Sequence, residues 1–154
     1  MEVKIQLKGG IMPKKAHPSD AAFDLYVPED VELKFGRNVI DMGFSLEIPE
    51  GYAATIQPRS GFSAKGMEVE CGGDTTRIEA DIVRGLIDSH YRGNVGVIVN
   101  YHRLVGRTWK WIIKKGTRIA QMQIVEVPQV ELVEVEELSE TDRGEGGFGH
   151  TGTK

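Results

Sequence analysis

Nineteen glycines and six prolines cut the 154-residue chain into short pieces. Most of those pieces alternate polar and apolar residues with the two-residue period of a strand, and the interruptions leave no room for a long helix. Phe23-Leu25-Val27, Phe44-Leu46-Ile48, Ile78-Ala80-Ile82 and Val95-Val97-Val99 each place apolar side chains on one face of an extended backbone. Val31-Leu33-Phe35, Trp109-Trp111-Ile113 and Val130-Leu132-Val135 read the same way, so about ten strands are expected. Turn formers such as Pro49-Glu50-Gly51 and Lys115-Gly116-Thr117 separate them at short intervals, as in an antiparallel sandwich or barrel. The expected architecture is one all-β domain over residues 1–138. Its single short helix should run from Phe62 to Lys65 and end at Gly66, a residue that can take a left-handed cap.

From Ser139 the alternation stops, and residues 139–154 read as a flexible glycine-rich arm. Arg143, Phe148 and Thr151 give that arm more chemistry than a solvating tail needs. With 40% hydrophobic and 27% charged residues the composition is that of a packed globular domain. No stretch approaches the ~20 apolar residues of a membrane span. A net charge of −4 speaks against a long nucleic-acid track, which is built from clustered Lys and Arg. Cys71 is the only cysteine, which excludes an internal disulfide framework and agrees with a reducing, cytoplasmic setting. A small phosphate ligand remains open, since it needs only a few cations and backbone N–H groups.

Five blocks carry residues suited to such a ligand. Asp24, in Asp20-Ala21-Ala22-Phe23-Asp24-Leu25, is a carboxylate in an apolar strand and needs a partner, either an arginine or a hard cation reached through water. Pro58-Arg59-Ser60-Gly61 precedes the expected helix and offers a planar cation, a hydroxyl and backbone donors. Gly85-Leu86-Ile87-Asp88-Ser89-His90-Tyr91-Arg92-Gly93 holds an acid three residues before a tyrosine, in what is otherwise a turn. Lys115 to Gln121 leads from a turn into a core strand; its Lys and Arg read equally well as edge charges, while the Gln121 amide can orient water or phosphate. Arg143 to Gly152 combines glycines that can wrap an anion with Phe148, which can cover an aromatic base.

In this order the five blocks resemble the five motifs of the trimeric dUTP diphosphatases, the dUTPases. The resemblance runs from about Asp20 to Gly152. It implies a distorted jelly roll of the β-clip type, a homotrimer, Mg²⁺ as cofactor and dUTP as substrate. The implied reaction releases pyrophosphate and dUMP, which limits uracil in DNA and supplies dUMP for thymidylate synthesis. Asp88 then matches the acid that activates the attacking water, and Gln121 the glutamine that helps hold water or phosphate. Tyr91 matches the tyrosine that packs under deoxyribose and leaves no room for a 2′-hydroxyl. Arg59, Ser60 and Gly61 match the phosphate motif, and Asp24 the acid that reaches Mg²⁺ through water. Backbone groups of Ile82, Gly85, Leu86 and Ile87 fall where uracil is read, and Gly96 joins them as a substrate contact. Arg143, Phe148, Gly149, His150 and Thr151 match the arm that closes over base and phosphates. Ala22 and His150 depart from the family pattern, which commonly has glycine and serine there.

Two alternatives accompany this reading: a dCTP deaminase, which shares the fold and a similar Arg-Ser motif, and a nucleotide-sensing or protein-binding module without turnover. Met67 to Arg77 is expected to form an extended surface hairpin rather than a metal site. Glu131, Glu134, Glu136 and Glu137 are expected on the solvated face of a strand.

Overall fold

The computed structural model describes residues 1–102 and 110–146. Three four-stranded antiparallel sheets enclose one apolar core, in a jelly-roll arrangement, with one short helix at the surface. The first sheet is ordered β1 (Lys4–Leu7), β4 (Gly36–Glu47), β10 (Asn94–Tyr101) and β8 (Ala80–Val83). The second runs β3 (Val31–Leu33), β11 (Trp111–Ile113), β6 (Met67–Cys71) and β7 (Asp74–Ile78). The third, which positions most of the candidate residues, runs β2 (Phe23–Tyr26), β12 (Arg118–Glu126), β5 (Tyr52–Pro58) and β9 (Gly85–Asp88).

Alternation decides which side chains enter the core. Along β10, Val95, Val97, Val99 and Tyr101 are buried while the residues between them face outward. Phe44 and Met42 from β4, Leu25 from β2, Ile56 from β5 and Ile119 from β12 close the interior between the sheets. Helix α1 (Ser60–Lys65) begins two residues before the expected start, and Phe62 anchors it in the core. Gly66 ends it at φ 77°, a left-handed backbone that a side chain would resist, and its N–H bonds to the Phe62 carbonyl. The Met67–Arg77 stretch is the expected hairpin: β6 and β7 pair in register from Met67 with Ile78 to Cys71 with Asp74.

Four sequence expectations change. Ile78-Ala80-Ile82 is not one strand, because the chain leaves the second sheet at Ile78 and enters the first at Ala80. The β4 strand is longer than Phe44–Ile48 indicates, because Gly43 (φ 68°) interrupts the alternation in its middle. Phe35 stands outside β3 and is exposed. Val130 to Val135 forms no strand: the segment finds no sheet edge in its own chain, and Leu132 is 94% exposed. Glu131, Glu134, Glu136 and Glu137 are therefore solvated without lying on a strand face. Trp109 lies outside the described residues, as do Phe148, Gly149, His150 and Thr151. Among the described residues no helix is long and apolar enough to cross a membrane.

Candidate active site

Strand register brings the first, second and fourth blocks together at one end of the third sheet. Gln121 on β12 stands opposite Asp24 on β2 and opposite Gln57 on β5. Arg59 follows directly from β5, so the sheet delivers its guanidinium beside the Asp24 carboxylate. Arg59 Nε lies 2.6 Å from Asp24 Oδ1, and Arg118 Nη1 lies 3.0 Å from Oδ2. Only 14% of the Asp24 side chain is exposed, so these charge-assisted bonds answer the question its apolar strand raises: the partner within the chain is a pair of arginines. The Arg59 bond, between two largely covered side chains, is worth on the order of 1.5–3 kcal/mol, and the Arg118 bond, from a half-exposed guanidinium, about 1 kcal/mol or less. Gln121 Nε2 donates to the Pro58 carbonyl at 3.0 Å, which seats its amide next to Arg59. Arg118, read from sequence as a candidate edge charge, is thus tied into the site.

Ser60 opens α1, whose N-cap position is Arg59, with no side-chain cap on the first-turn N–H groups. Arg59 and Gly61 line a groove of about 500 Å³ together with Lys65, Lys115 and Arg118. The turn that carries Lys115 is held against the chain after β2: Lys114 Nζ pairs with Asp30, the Lys115 N–H donates to Asp30 Oδ1 at 2.8 Å, and the Gly116 N–H donates to the Val27 carbonyl at 2.8 Å. The Lys114 bond and the Lys115 N–H hold the Asp30 carboxyl below the usual carboxylate range.

The third block lies elsewhere. Asp88, the last residue of β9, pairs with Ala53 near the start of β5, whereas Gln121 pairs with Gln57 near its end. Four residues of strand separate the two, roughly 13 Å. Asp88 is exposed, and its carbonyl accepts the Tyr91 N–H at 3.1 Å to close the turn that follows. Tyr91 is 48% exposed, and its hydroxyl donates to the Asn94 carbonyl at 3.1 Å. Gly85, Leu86 and Ile87 line β9 behind Asp88, with Leu86 exposed and Ile87 buried. Ile82 is buried on β8, and Gly96 faces outward from β10. Within one chain, then, the phosphate-type residues and the acid with its tyrosine form two separate clusters.

Arg143 joins neither. It sits in a turn of its own, where Nε donates to the Gly146 carbonyl at 2.8 Å. Two features had no signal in the sequence, the Arg118–Asp24 pair and the bond from the Asn94 side-chain amide to the Asp41 carboxylate at 2.8 Å, because both depend on cross-strand register. Among the described residues no cluster of three or more His, Cys, Asp or Glu is arranged to hold a metal ion.

Residues 8–152 match the dUTPase family. The chain belongs to the dUTPase family. It is 41% identical to the deoxyuridine 5′-triphosphate nucleotidohydrolase of Crocosphaera subtropica, with 99% of both chains covered. Against the enzyme of the same name from Clostridium tetani it is 36% identical, covering 99% of this chain and 96% of that one. Among solved structures, the dUTPase of Staphylococcus bacteriophage 80alpha with dUPNHPP superposes with a TM-score of 0.80 at 31% identity, covering 98% of each chain. The dUTPase of phage phi11 of S. aureus, described with a structural Mg(II) ion, superposes with a TM-score of 0.73 at 25% identity, covering 89% of this chain and 98% of that one.

Proposed function

We propose that this dUTPase-family chain hydrolyses dUTP to dUMP and pyrophosphate in a site shared between copies of itself. The family match over nearly the whole chain carries the reaction. The division into two half-sites supports the sharing, since a triphosphate held at Arg59 lies too far from Asp88 of the same chain for one water to bridge them.

In this reading Asp88 takes a proton from a water, and the water oxygen forms a bond to the α-phosphorus. The bond from the α-phosphorus to the bridging oxygen breaks, and pyrophosphate leaves. Arg59, the Ser60 hydroxyl and the Gly61 N–H hold the phosphates, and Gln121 orients water or phosphate beside them. Tyr91 lies under the sugar, while backbone groups of Ile82, Gly85, Leu86, Ile87 and Gly96 read the base. Residues 139–154 act as the arm that brings Arg143, Phe148, Gly149, His150 and Thr151 over the nucleotide. Mg²⁺ binds through one or two carboxylates plus substrate phosphates and keeps several waters, so Asp24 would hold it only through such a water and alongside the phosphates, since Arg59 and Arg118 take both of its oxygens within the chain. When bound, the ion neutralises charge developing on the leaving pyrophosphate.

Three copies per assembly follow the family resemblance, and two exposed apolar regions support association. Val39, Ile98 and Val83 stand in register across β4, β10 and β8, and Val39 is 73% exposed. Val130, Leu132, Val133 and Leu138 are likewise uncovered in the segment after β12. Assaying pyrophosphate release from the common nucleoside triphosphates, with and without Mg²⁺, tests the reaction. Turnover should be fast only with dUTP and Mg²⁺. Equal rates on dCTP or dTTP, or ammonia released from dCTP, would overturn it.

A further inference from the structure

The ring of Tyr91 is held by its neighbours in the chain. A Cβ on Gly93 would overlap the Tyr91 hydroxyl oxygen and Cζ, so the hydroxyl end of the ring sits directly against Gly93, where only a glycine leaves room for it. Its hydroxyl is fixed by the Asn94 carbonyl. An exposed aromatic ring clamped in this way goes wherever the backbone of residues 93 and 94 goes.

That backbone enters β10 at an irregular point. Asn94 pairs with Ser45, yet Gly96 pairs with Asp41, so the register shifts between them and the ladder gives Asn94 incomplete support. Side chains supply the rest. Asn94 Nδ2 donates to Asp41 Oδ2 at 2.8 Å, and the buried Ser45 hydroxyl donates to Asn94 Oδ1 at 3.1 Å. Lys8 Nζ donates to Ser45 Oγ at 2.8 Å, and the second Asp41 oxygen accepts the Gly43 N–H at 2.7 Å. Asp41 offers only acceptors, which settles the orientation of the Asn94 amide. Every donor then points the same way, from the Lys8 ammonium through Ser45 and Asn94 to the Asp41 carboxylate, and each bond polarises the next.

We infer that Asn94, locked by Asp41 and Ser45, is a positioning residue that sets where Tyr91 lies and hence how strictly the site refuses a ribose 2′-hydroxyl. The inference rests on the reading of Tyr91 as the residue under the sugar. It assigns sugar selectivity to a network that extends through β4 to Lys8, beyond the reacting atoms.

The test compares kcat/KM for dUTP and UTP. Asn94→Ala should lower the dUTP/UTP ratio about tenfold, the scale expected for a small misfit at a shaped contact, while kcat on dUTP changes less than KM. A second set of variants guards against loss of folding. Asn94→Asp sets two carboxylates against each other and should lose selectivity; adding Asp41→Asn restores a donor–acceptor pair of opposite polarity and should recover most of it. A general loss of stability would not be repaired by the second change. If Tyr91→Ala relaxes selectivity but Asn94→Ala and the paired exchange leave the ratio at the wild-type value, the positioning role is overturned and the Tyr91 reading stands. If Tyr91→Ala itself leaves the ratio unchanged, both fall.

Discussion

The two half-sites are built on different principles. At the proposed phosphate end, three strands converge and charge holds the residues in place: Asp24 bridges Arg59 and Arg118, and register seats Gln121 on β12 between Asp24 and Gln57. At the proposed sugar end Asp88 closes β9 and Tyr91 lies in the turn that follows, and hydrogen bonds through Asn94, one of them to the Asp41 carboxylate, fix that turn's geometry. The first arrangement suits a strongly charged ligand, because its cations are oriented before the phosphate arrives. The second suits discrimination by shape, because a tyrosine held by backbone atoms cannot move aside at small cost. One chain carries both halves but keeps them apart.

Asp88→Asn should have the largest effect of the substitutions at either end. It removes the proposed base without disturbing the turn, whose bond uses the Asp88 carbonyl, so kcat should fall ~10²–10⁴-fold while dUTP still binds. Arg59→Ala acts at the other end. Its loss should lower kcat/KM about 10- to 100-fold, and Arg59→Lys should recover little, since a point charge cannot reproduce the planar donors facing Asp24. Asp24→Asn made in the Arg59→Ala background should cost less than when made alone, because the two share one ion pair. Additive effects would show that the pair does not act as a unit.

The smallest effect concerns acid. Hydrogen bonds from Asn94 and from the Gly43 N–H, with the charge of Lys8, hold the Asp41 carboxyl below its ordinary value. A carboxylate depressed in the folded state contributes stability that is complete above its unfolded pKa and is lost as pH falls through the folded one. Melting temperature should therefore decline below about pH 4, and Asp41→Asn should flatten part of that decline. Only part is expected, because Asp30 and Glu47 are depressed in the same way by Lys114 and Lys4. An unchanged acid slope in the variant would remove Asp41 from this role.

Much of this was legible in the sequence, for reasons that differ between the halves. The strand alternation of Val95-Val97-Val99, the Gly66 stop and the Met67–Arg77 hairpin are local properties, and each is present in the structure. The five blocks could be named because their residue types are unusual where they stand. What sequence did not supply was anything set by register. Arg118 resembles any edge cation until β12 is aligned with β2, and Asn94 resembles any turn residue until the shift against β4 brings it to Asp41. Val130 to Val135 failed in the opposite direction: the alternation is real, but a strand needs an edge, and its own chain provides none.

In the proposed assembly the two halves of a working site come from different copies of the chain. Alone, subunits carrying Asp88→Asn should retain about 1% of wild-type kcat or less, and subunits carrying Arg59→Ala at most about a tenth of wild-type kcat/KM. Unfolded together in equal amounts and refolded, they assort at random, and a site that draws Asp88 from one copy and Arg59 from another regains both in about a quarter of cases. The mixture should recover that share of wild-type turnover on dUTP, whereas a mixture no more active than the average of its two parents would place the whole site within one chain.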